Sequence, residues 1–197
     1  MVSLARRTAP EGDVSISLTL SRHRKAKVWI GHLPGPPMDV HGLAERWVMP
    51  GRRHALGTSV VAVELAIPNG GKTSFGAVGG QLVEDEDESA RELIVAVPVD
   101  AAGCLYRDSM ASSSDHVRTG LPQPYSDALS EGIAAMAKME GAPAGKLSVT
   151  WAAHGRTSSS PAMFRLLGGL LVELMIAPAW SLDEEGLMQR FETLDVR

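Results

Sequence analysis

One short loop concentrates the residue types that could bind a charged ligand. His154 and Arg156 are followed by three consecutive serines, Ser158, Ser159 and Ser160, immediately before a predicted helix. The first backbone N–H groups of a helix have no intrahelical partner, and the helix dipole favours an anion at that end. Arg156 adds a fixed positive charge and His154 a titratable one. The pattern predicts a phosphate or carboxylate site, with the alternative that Ser160 only caps the helix and the rest is a polar loop.

A second group of basic residues, Arg22, Arg24 and Lys25, follows a predicted strand. Such a group can bind the phosphates of a nucleic acid, although a solvated strand end is the commoner explanation. The formal net charge of the chain is -4, so no overall positive field attracts nucleic acid. Any RNA binding must therefore use a local basic surface.

The loop from His154 to Ser160 requires a strand before it and helices on either side. We predict a helix over 125–140, a strand over 146–153 and a helix over 161–177, which Pro161 begins and Pro178 ends. The first helix has an apolar stripe at helical spacing, and the strand turns alternate residues inward. The stripe is Leu129, Ile133 and Met136, and the inward residues are Leu147, Val149 and Trp151. From these elements we expect a core that contains Leu65, Val95, Ile133, Val149, Trp151, Leu167 and Leu171.

The N-terminal half reads mainly as strands. Residues 14–20, 59–67 and 92–99 have strand patterns, whereas 43–57 has room for one helical turn and 107–124 is polar and predicted to be mobile. Strands followed by helix–strand–helix predict an α+β two-layer sandwich, with a mixed or antiparallel sheet and helices on one face. Residues 1–13 are predicted to be a flexible leader, and 14–197 a single α+β domain. A Ser181–Glu184 capping box begins the last predicted helix.

The segment 66–73 has two alternative interpretations. Its sequence AIPNGGKT fits a relaxed nucleotide-binding loop with Lys72 as the phosphate ligand. Such a loop needs a helix directly after Lys72, and the residues that follow are poor helix formers. A hairpin turn is favoured because Asn69 and Gly70 tolerate positive φ.

Composition indicates a cytoplasmic protein without a cofactor. A single cysteine, Cys104, suits a reducing compartment, and we expect it to be a buried or half-buried apolar residue. The histidines are scattered without metal-ligand spacing, so no metal is expected. No segment is long and apolar enough to span a bilayer, so no membrane partner is expected.

The stretch 120–171 resembles domain IV of translation elongation factor G. The matching positions, in order, are Leu121-Pro122 with Tyr125, Glu131-Gly132-Ile133, Ala144-Gly145, the strand Lys146–Trp151, His154, Ser158-Ser159 and Ala162-Met163-Phe164. The loop departs from the family, since it has one extra residue and lacks the two aspartates. We expect no GTPase domain, since the whole factor would be several times longer. The resemblance implies a ribosomal protein S5 domain 2-like fold and the ribosome or structured RNA as partner.

Three functions are consistent with the sequence. The first is a non-enzymatic binding module that contacts the ribosome or structured RNA through 154–160 and the basic residues Arg22, Arg24 and Lys25. The second is a small enzyme or ligand-binding protein that uses the serine loop for a phosphate or carboxylate, as sugar and mevalonate kinases use a similar loop. The third is a homo-oligomer of unknown role. No catalytic constellation is evident, and the sequence favours a non-enzyme.

Overall fold

The strand predicted around Val61 forms half of a long hairpin at the centre of the sheet. Strand β4 (Val60–Asn69) and strand β5 (Lys72–Glu84) are joined through Gly70 and Gly71, and Gly70 has a φ of 61°. The left-handed conformation favours glycine at this turn. The hairpin is confirmed, and since β5 continues directly from Lys72, the nucleotide-loop alternative is wrong.

Lys72 lies exposed at the start of β5. Because its side chain is solvated and the turn conformation depends on Gly70, we expect Lys72→Ala to change the free energy of unfolding by less than about 0.5 kcal/mol. Chemical denaturation measures this directly. A loss above about 1 kcal/mol would show that Lys72 has a structural role.

The computed structural model describes residues 13–37, 43–48, 58–85, 92–98, 103–140 and 144–194. The predicted leader lies outside these residues apart from Asp13. The remaining strands are β1 (Val14–Thr19), β2 (Lys25–Ile30), β3 (Leu43–Val48), β6 (Leu93–Pro98), β7 (Val117–Thr119) and β8 (Gly145–Gly155). Their order is β1-β2-β4-β5-β8-β6-β3, with β7 also on β8. The pairing of β6 with β8 is parallel and the other pairs are antiparallel. The helical turn predicted within 43–57 is wrong over Leu43–Val48, which pairs with β6.

In the part of the chain that the structure describes, three α-helices pack on one face of this sheet. They are α1 (Gln123–Glu140), α2 (Pro161–Ile176) and α3 (Glu184–Glu192). Their buried residues join those of the sheet in one apolar cluster, and every residue predicted for the core is buried. The α+β class with helices on one face is therefore confirmed. The predicted cap of the last helix is wrong, because Asp183 rather than Ser181 accepts the Gly186 N–H, at 2.8 Å.

Helices α1 and α2 approach each other through glycines. A Cβ atom on Gly132 would lie 1.9 Å from the Arg165 carbonyl oxygen, and one on Gly168 would lie 2.3 Å from the Leu129 carbonyl oxygen. Neither position has room for a side chain unless the backbones move apart. The two glycines set the separation of the helices.

The opposite face of the sheet is also covered. Trp29, Phe75 and Trp151 are buried there, and the segment 103–119 packs over them through Tyr106, Ala111 and Val117. This segment includes β7 and contacts the sheet, where a mobile stretch was predicted. Cys104 within it is exposed, contrary to expectation. Trp151 belongs to this face and Val149 to the helix face, because the ladder between β5 and β8 shifts register at Gly79 and Gly80.

Under the segment 103–119 the sheet buries one carboxylate. Glu64 is fully buried and accepts hydrogen bonds from the Met110 N–H at 2.5 Å and from the Tyr106 hydroxyl at 3.3 Å. Burial raises the pKa of Glu64, and Asp108 adds to this, whereas the two hydrogen bonds and Lys27 oppose it. Burial also raises the pKa of Tyr106. The segment 103–119 therefore covers a carboxyl whose charged form is disfavoured by burial.

The raised pKa of Glu64 gives a signed dependence of stability on pH. A carboxyl whose pKa is higher in the folded state stabilises the fold below its unfolded pKa and loses that contribution as the pH rises through the folded value. We therefore expect Glu64→Gln, which stays neutral and keeps the acceptor for Met110, to be more stable than the wild type at pH 7. The difference should shrink as the pH falls toward 4.5, the ordinary value. Urea unfolding at several pH values measures it, and a constant difference would contradict the assignment.

Candidate functional site

The loop that follows β8 is held by a carboxylate from the segment 103–119. Asp115 accepts the N–H and hydroxyl of Thr157, both at 3.1 Å, the Ser158 N–H at 3.2 Å, and the Ser158 hydroxyl. Burial alone would raise the pKa of Asp115, but the hydrogen bonds from Ser158 and Thr157 outweigh it and hold the pKa below its usual value. The Asp115 carboxylate thus accepts hydrogen bonds from donors that the sequence predicts to bind an external anion.

The other two serines also bond within the protein. The Ser159 hydroxyl accepts the Gly155 N–H at 2.8 Å and donates to the Phe75 carbonyl at 2.7 Å. Ser160 is the N-cap of α2, where its side chain accepts the Met163 N–H at 3.3 Å, and Pro161 is the first helical residue. The sequence-predicted site residues Ser158, Ser159 and Ser160 therefore fix the loop, and a ligand would have to displace these bonds to reach them.

The Ser160 cap is expected to contribute measurably to the free energy of unfolding. We expect Ser160→Ala to lower the free energy of unfolding by about 1 kcal/mol, because one N–H of the first turn of α2 loses its acceptor. Ser160→Asp is the matched control, since aspartate keeps a capping oxygen and should retain most of the stability. Thermal or urea unfolding compares the two. Equal losses in both variants would mean that the side chain has another role.

Basic side chains gather on one face of β7 and β8. Arg118 lies opposite His154 in the ladder, and the Arg156 N–H donates to the His116 carbonyl at 3.2 Å. His116 and Arg156 lie just beyond the ends of β7 and β8, and their side chains line the same cavity as those of Arg118 and His154. Directly opposed side chains in such a pair have Cβ atoms about 4.5–5.5 Å apart. Two arginines and two histidines therefore form one cluster beside this pair of strands.

This cluster of two arginines and two histidines forms the floor of an open cleft. Leu105 bridges to Arg118 on the outer edge of β7, and Pro122 and Tyr125 form a wall at the start of α1. The cavity has a volume of about 490 Å³. The Tyr125 ring stacks on Phe164 with centroids 4.8 Å apart and meets the His154 ring edge-on at 5.9 Å. The lining residues are Leu105, His116, Arg118, Pro122, Tyr125, His154, Gly155 and Arg156.

Neither arginine of this cleft forms an ion pair with a described residue, but the nearby Asp115 carboxylate adds to burial in raising the pKa of the lining residue Tyr125. Among the residues that the structure describes, Arg118 donates only to the Gly103 carbonyl, at 3.4 Å. His154 Nδ1 lies 2.9 Å from the Gly120 carbonyl, which can only accept, so Nδ1 bears the proton. The cleft therefore offers guanidinium donors and a histidine whose Nε2 is left for a ligand.

The second predicted group lies at the same end of the sheet. Lys25 pairs with Ala66, Ala66 pairs with Phe75, and the Phe75 N–H donates to the Ser158 carbonyl at 3.0 Å. Three strand spacings therefore separate Lys25 from the serine loop, about 14 Å. The hairpin turn that presents Lys72 lies between them.

The three basic residues of this group differ in solvent exposure and in whether they form an ion pair. Arg22 and Lys25 are exposed. Arg24 is partly buried, forms an ion pair with Glu192 at 2.6 Å and donates to the carbonyls of Phe191 and Leu194. Arg24 thus joins the β1–β2 turn to α3, and Arg22 and Lys25 are the two that face solvent.

The sequence did not single out Arg118, Leu105 or the pairing of His116 with Arg156. Their signal is the alternation in His116-Val117-Arg118, with the valine buried and its neighbours exposed. That pattern is typical of a strand, but it is only three residues long. For Tyr125, the only signal in the sequence is its place in the stretch that resembles domain IV of elongation factor G.

Comparison with protein-family models, curated proteins and solved structures gives no significant match to this chain. The class that the fold defines is α+β, and the ribosomal protein S5 domain 2-like assignment stays a prediction. Within the described ranges, no group of three or more His, Cys, Asp or Glu side chains is arranged to hold a metal ion. No helix in the part of the chain that the structure describes has the length and apolarity needed to cross a membrane.

Proposed function

We propose that this protein is a non-enzymatic binding module that holds structured RNA, such as that of the ribosome, against one end of its sheet. The observation that supports the proposal is that two separate basic groups lie at the same end of the sheet. Lys25 is on the face of Trp29 and the cleft is on the helix face, so the RNA would lie across that end. Arg118 and Arg156 lie in the cleft, and Lys25 lies about 14 Å from the adjoining loop, with Lys72 on the turn between them. The resemblance of 120–171 to domain IV of elongation factor G points to the same partner.

The spacing suits a phosphate backbone. Phosphates follow one another closely along a duplex, about every 3.4 Å of helix axis per strand in B-DNA, so basic residues that are three or more strand spacings apart can contact several of them. Phosphate contacts account for most of the affinity in such complexes and make it dependent on salt. Since the net charge of the chain is -4, binding depends on this surface and not on an overall attraction.

Fluorescence anisotropy with a labelled RNA hairpin tests the proposal. Lys25→Gln and Lys72→Gln each remove one charge from the proposed surface. Lys138→Gln, an exposed lysine in the last turn of α1, removes one charge from the opposite end of the molecule. We expect the first two to weaken binding and to reduce the slope of log K against log salt by about 0.7–0.9 each, whereas Lys138→Gln changes little. Failure of the wild type to bind at low salt, or equal effects in all three, would refute the proposal.

The charge of the cleft favours a second candidate, a protein that binds a small phosphate or carboxylate ligand. The observation behind it is the unpaired Arg118 and Arg156 beside His154. A panel of nucleotides and phosphosugars in a thermal-shift assay separates the candidates. A large stabilisation by one compound with no RNA binding would favour the small ligand.

A further inference from the structure

The cleft beside β7 combines features that a phosphate site alone does not need. Leu105 is 50% exposed although it is a large apolar residue, and it lies beside Arg118 in the ladder. Pro122 and the Tyr125 ring face the same space. An anion would be bound by the arginines without this apolar lining. The lining indicates a ligand with a flat apolar part attached to its charge.

The polar groups of the cleft fit the same kind of ligand. Arg118 and Arg156 are available for a phosphate, since no carboxylate within the described residues pairs with them. His154 Nε2 is an acceptor when the ring is neutral, because Nδ1 donates to Gly120. An acceptor at this position can take an amino group of a base or a ribose hydroxyl. The 2′-hydroxyl is the group by which proteins distinguish RNA from DNA.

We infer that the cleft binds a single unpaired nucleotide, with its base against Leu105 and Tyr125 and its phosphate between Arg118 and Arg156. The cavity of about 490 Å³ lies within the range of about 300–1,000 Å³ that small-molecule sites occupy. Specific recognition of RNA commonly uses bases that are splayed out of the helix and stacked on aromatic or guanidinium groups. The inference rests on the proposed function for the origin of the nucleotide, which is an unpaired residue of the bound RNA.

Two neighbouring features limit what the cleft can take. The donors of Thr157 and Ser158 are occupied by Asp115, so the phosphate is directed to the arginines and not to the start of α2. The Tyr125 hydroxyl donates to the Ser159 carbonyl at 3.2 Å, which fixes the ring as a wall. The cleft is open on its outer side, as a nucleotide that remains attached to a chain requires.

The first experiment uses the free nucleotide. Protein with labelled leucine methyl groups is titrated with adenosine 5′-monophosphate, adenosine and inorganic phosphate, and the Leu105 methyl resonances are followed by NMR. We expect the monophosphate to bind at least about tenfold more tightly than either half, which corresponds to about 1.4 kcal/mol. Arg118→Gln with Arg156→Gln should remove this advantage. An equal response to inorganic phosphate, or none at Leu105, would overturn the inference.

The second experiment uses RNA and separates the inference from the proposed function. Anisotropy compares a blunt-ended RNA duplex of two strands with the same duplex carrying a single-nucleotide bulge. We expect the wild type to prefer the bulged duplex by about tenfold, equivalent to about 1.4 kcal/mol. Leu105→Ala should lose this preference and still bind the paired duplex, since Leu105 is half exposed and its replacement leaves the charges intact.

The results of the second experiment distinguish failure of the cleft inference from failure of the proposed function. Equal binding of both duplexes by the wild type would overturn the cleft inference and leave the proposed RNA surface standing. Binding of neither duplex would refute the proposed function and, with it, the RNA origin of the nucleotide, whatever the monophosphate does. A lost preference in Lys72→Gln but not in Leu105→Ala would place the recognition outside the cleft and also overturn the inference.

Discussion

Replacing Arg118 and Arg156 together with glutamine is expected to weaken RNA binding about 25- to 60-fold at 0.1 M salt. The estimate follows from counterion release, in which each phosphate contact changes log K by about 0.7–0.9 for every tenfold change in salt. Two lost contacts therefore remove about 1.4–1.8 units of log K between 1 M and 0.1 M salt. Both side chains are exposed, so the melting temperature should hardly change.

The matched control removes two positive charges elsewhere. Lys138→Gln with Arg165→Gln changes the net charge by the same amount, and Arg165 is an exposed residue paired with Glu131 across α1 and α2. Anisotropy at several salt concentrations gives both the affinity and the salt slope. If the control weakens binding as much as the cleft variant, general electrostatics explain the effect and the cleft has no special part in it.

Replacing Gly132 with alanine is expected to destabilise the fold by about 1–3 kcal/mol. The new Cβ atom would lie 1.9 Å from the Arg165 carbonyl oxygen, so α1 and α2 must move apart. Backbone atoms cannot rotate away as a side-chain end can, and the contact is central to the helix layer. The gain in helix propensity from glycine to alanine, about 1 kcal/mol, does not offset the displacement.

Gly169→Ala is the control for this prediction. Its Cβ atom would meet Met136 Cε at 3.5 Å and the Gly132 carbonyl oxygen at 3.9 Å, which are ordinary contacts. Only the propensity term remains, so this variant should be stabilised by up to about 1 kcal/mol. Urea unfolding of both variants measures the difference. A stable Gly132→Ala would contradict the close approach of the two helices.

Local patterns in the sequence were sufficient where a segment's own residues determine its structure. The alternation around Val61, the turn at Gly70 and the Ser160-Pro161 start of α2 are all of this kind, and each is confirmed. The apolar stripe of α1 likewise places Leu129 and Ile133 in the core. Propensity, turn chemistry and capping act over a few residues, so one sequence reveals them.

The features that the sequence did not predict depend on distant partners. Leu43–Val48 contains helix-forming residues, yet pairing with β6 makes it a strand. The register shift that turns Trp151 away from Val149 arises between two strands far apart in the chain. Asp115 reaches Ser158 across a separation of 43 residues. No local pattern in the serine loop indicates that its donors already have an acceptor.

The segment 103–119 connects the cleft with the buried Glu64. It contributes Leu105, His116 and Arg118 to the cleft, and its Met110 N–H lies against the buried Glu64. If this segment must open before the Met110 amide proton can exchange with solvent, a cleft ligand suppresses that opening by mass action. At about 100 times its Kd, such a ligand slows the exchange about a hundredfold. The rate of deuterium uptake at the Met110 amide therefore reports whether a ligand occupies the cleft, and the ligand needs no label.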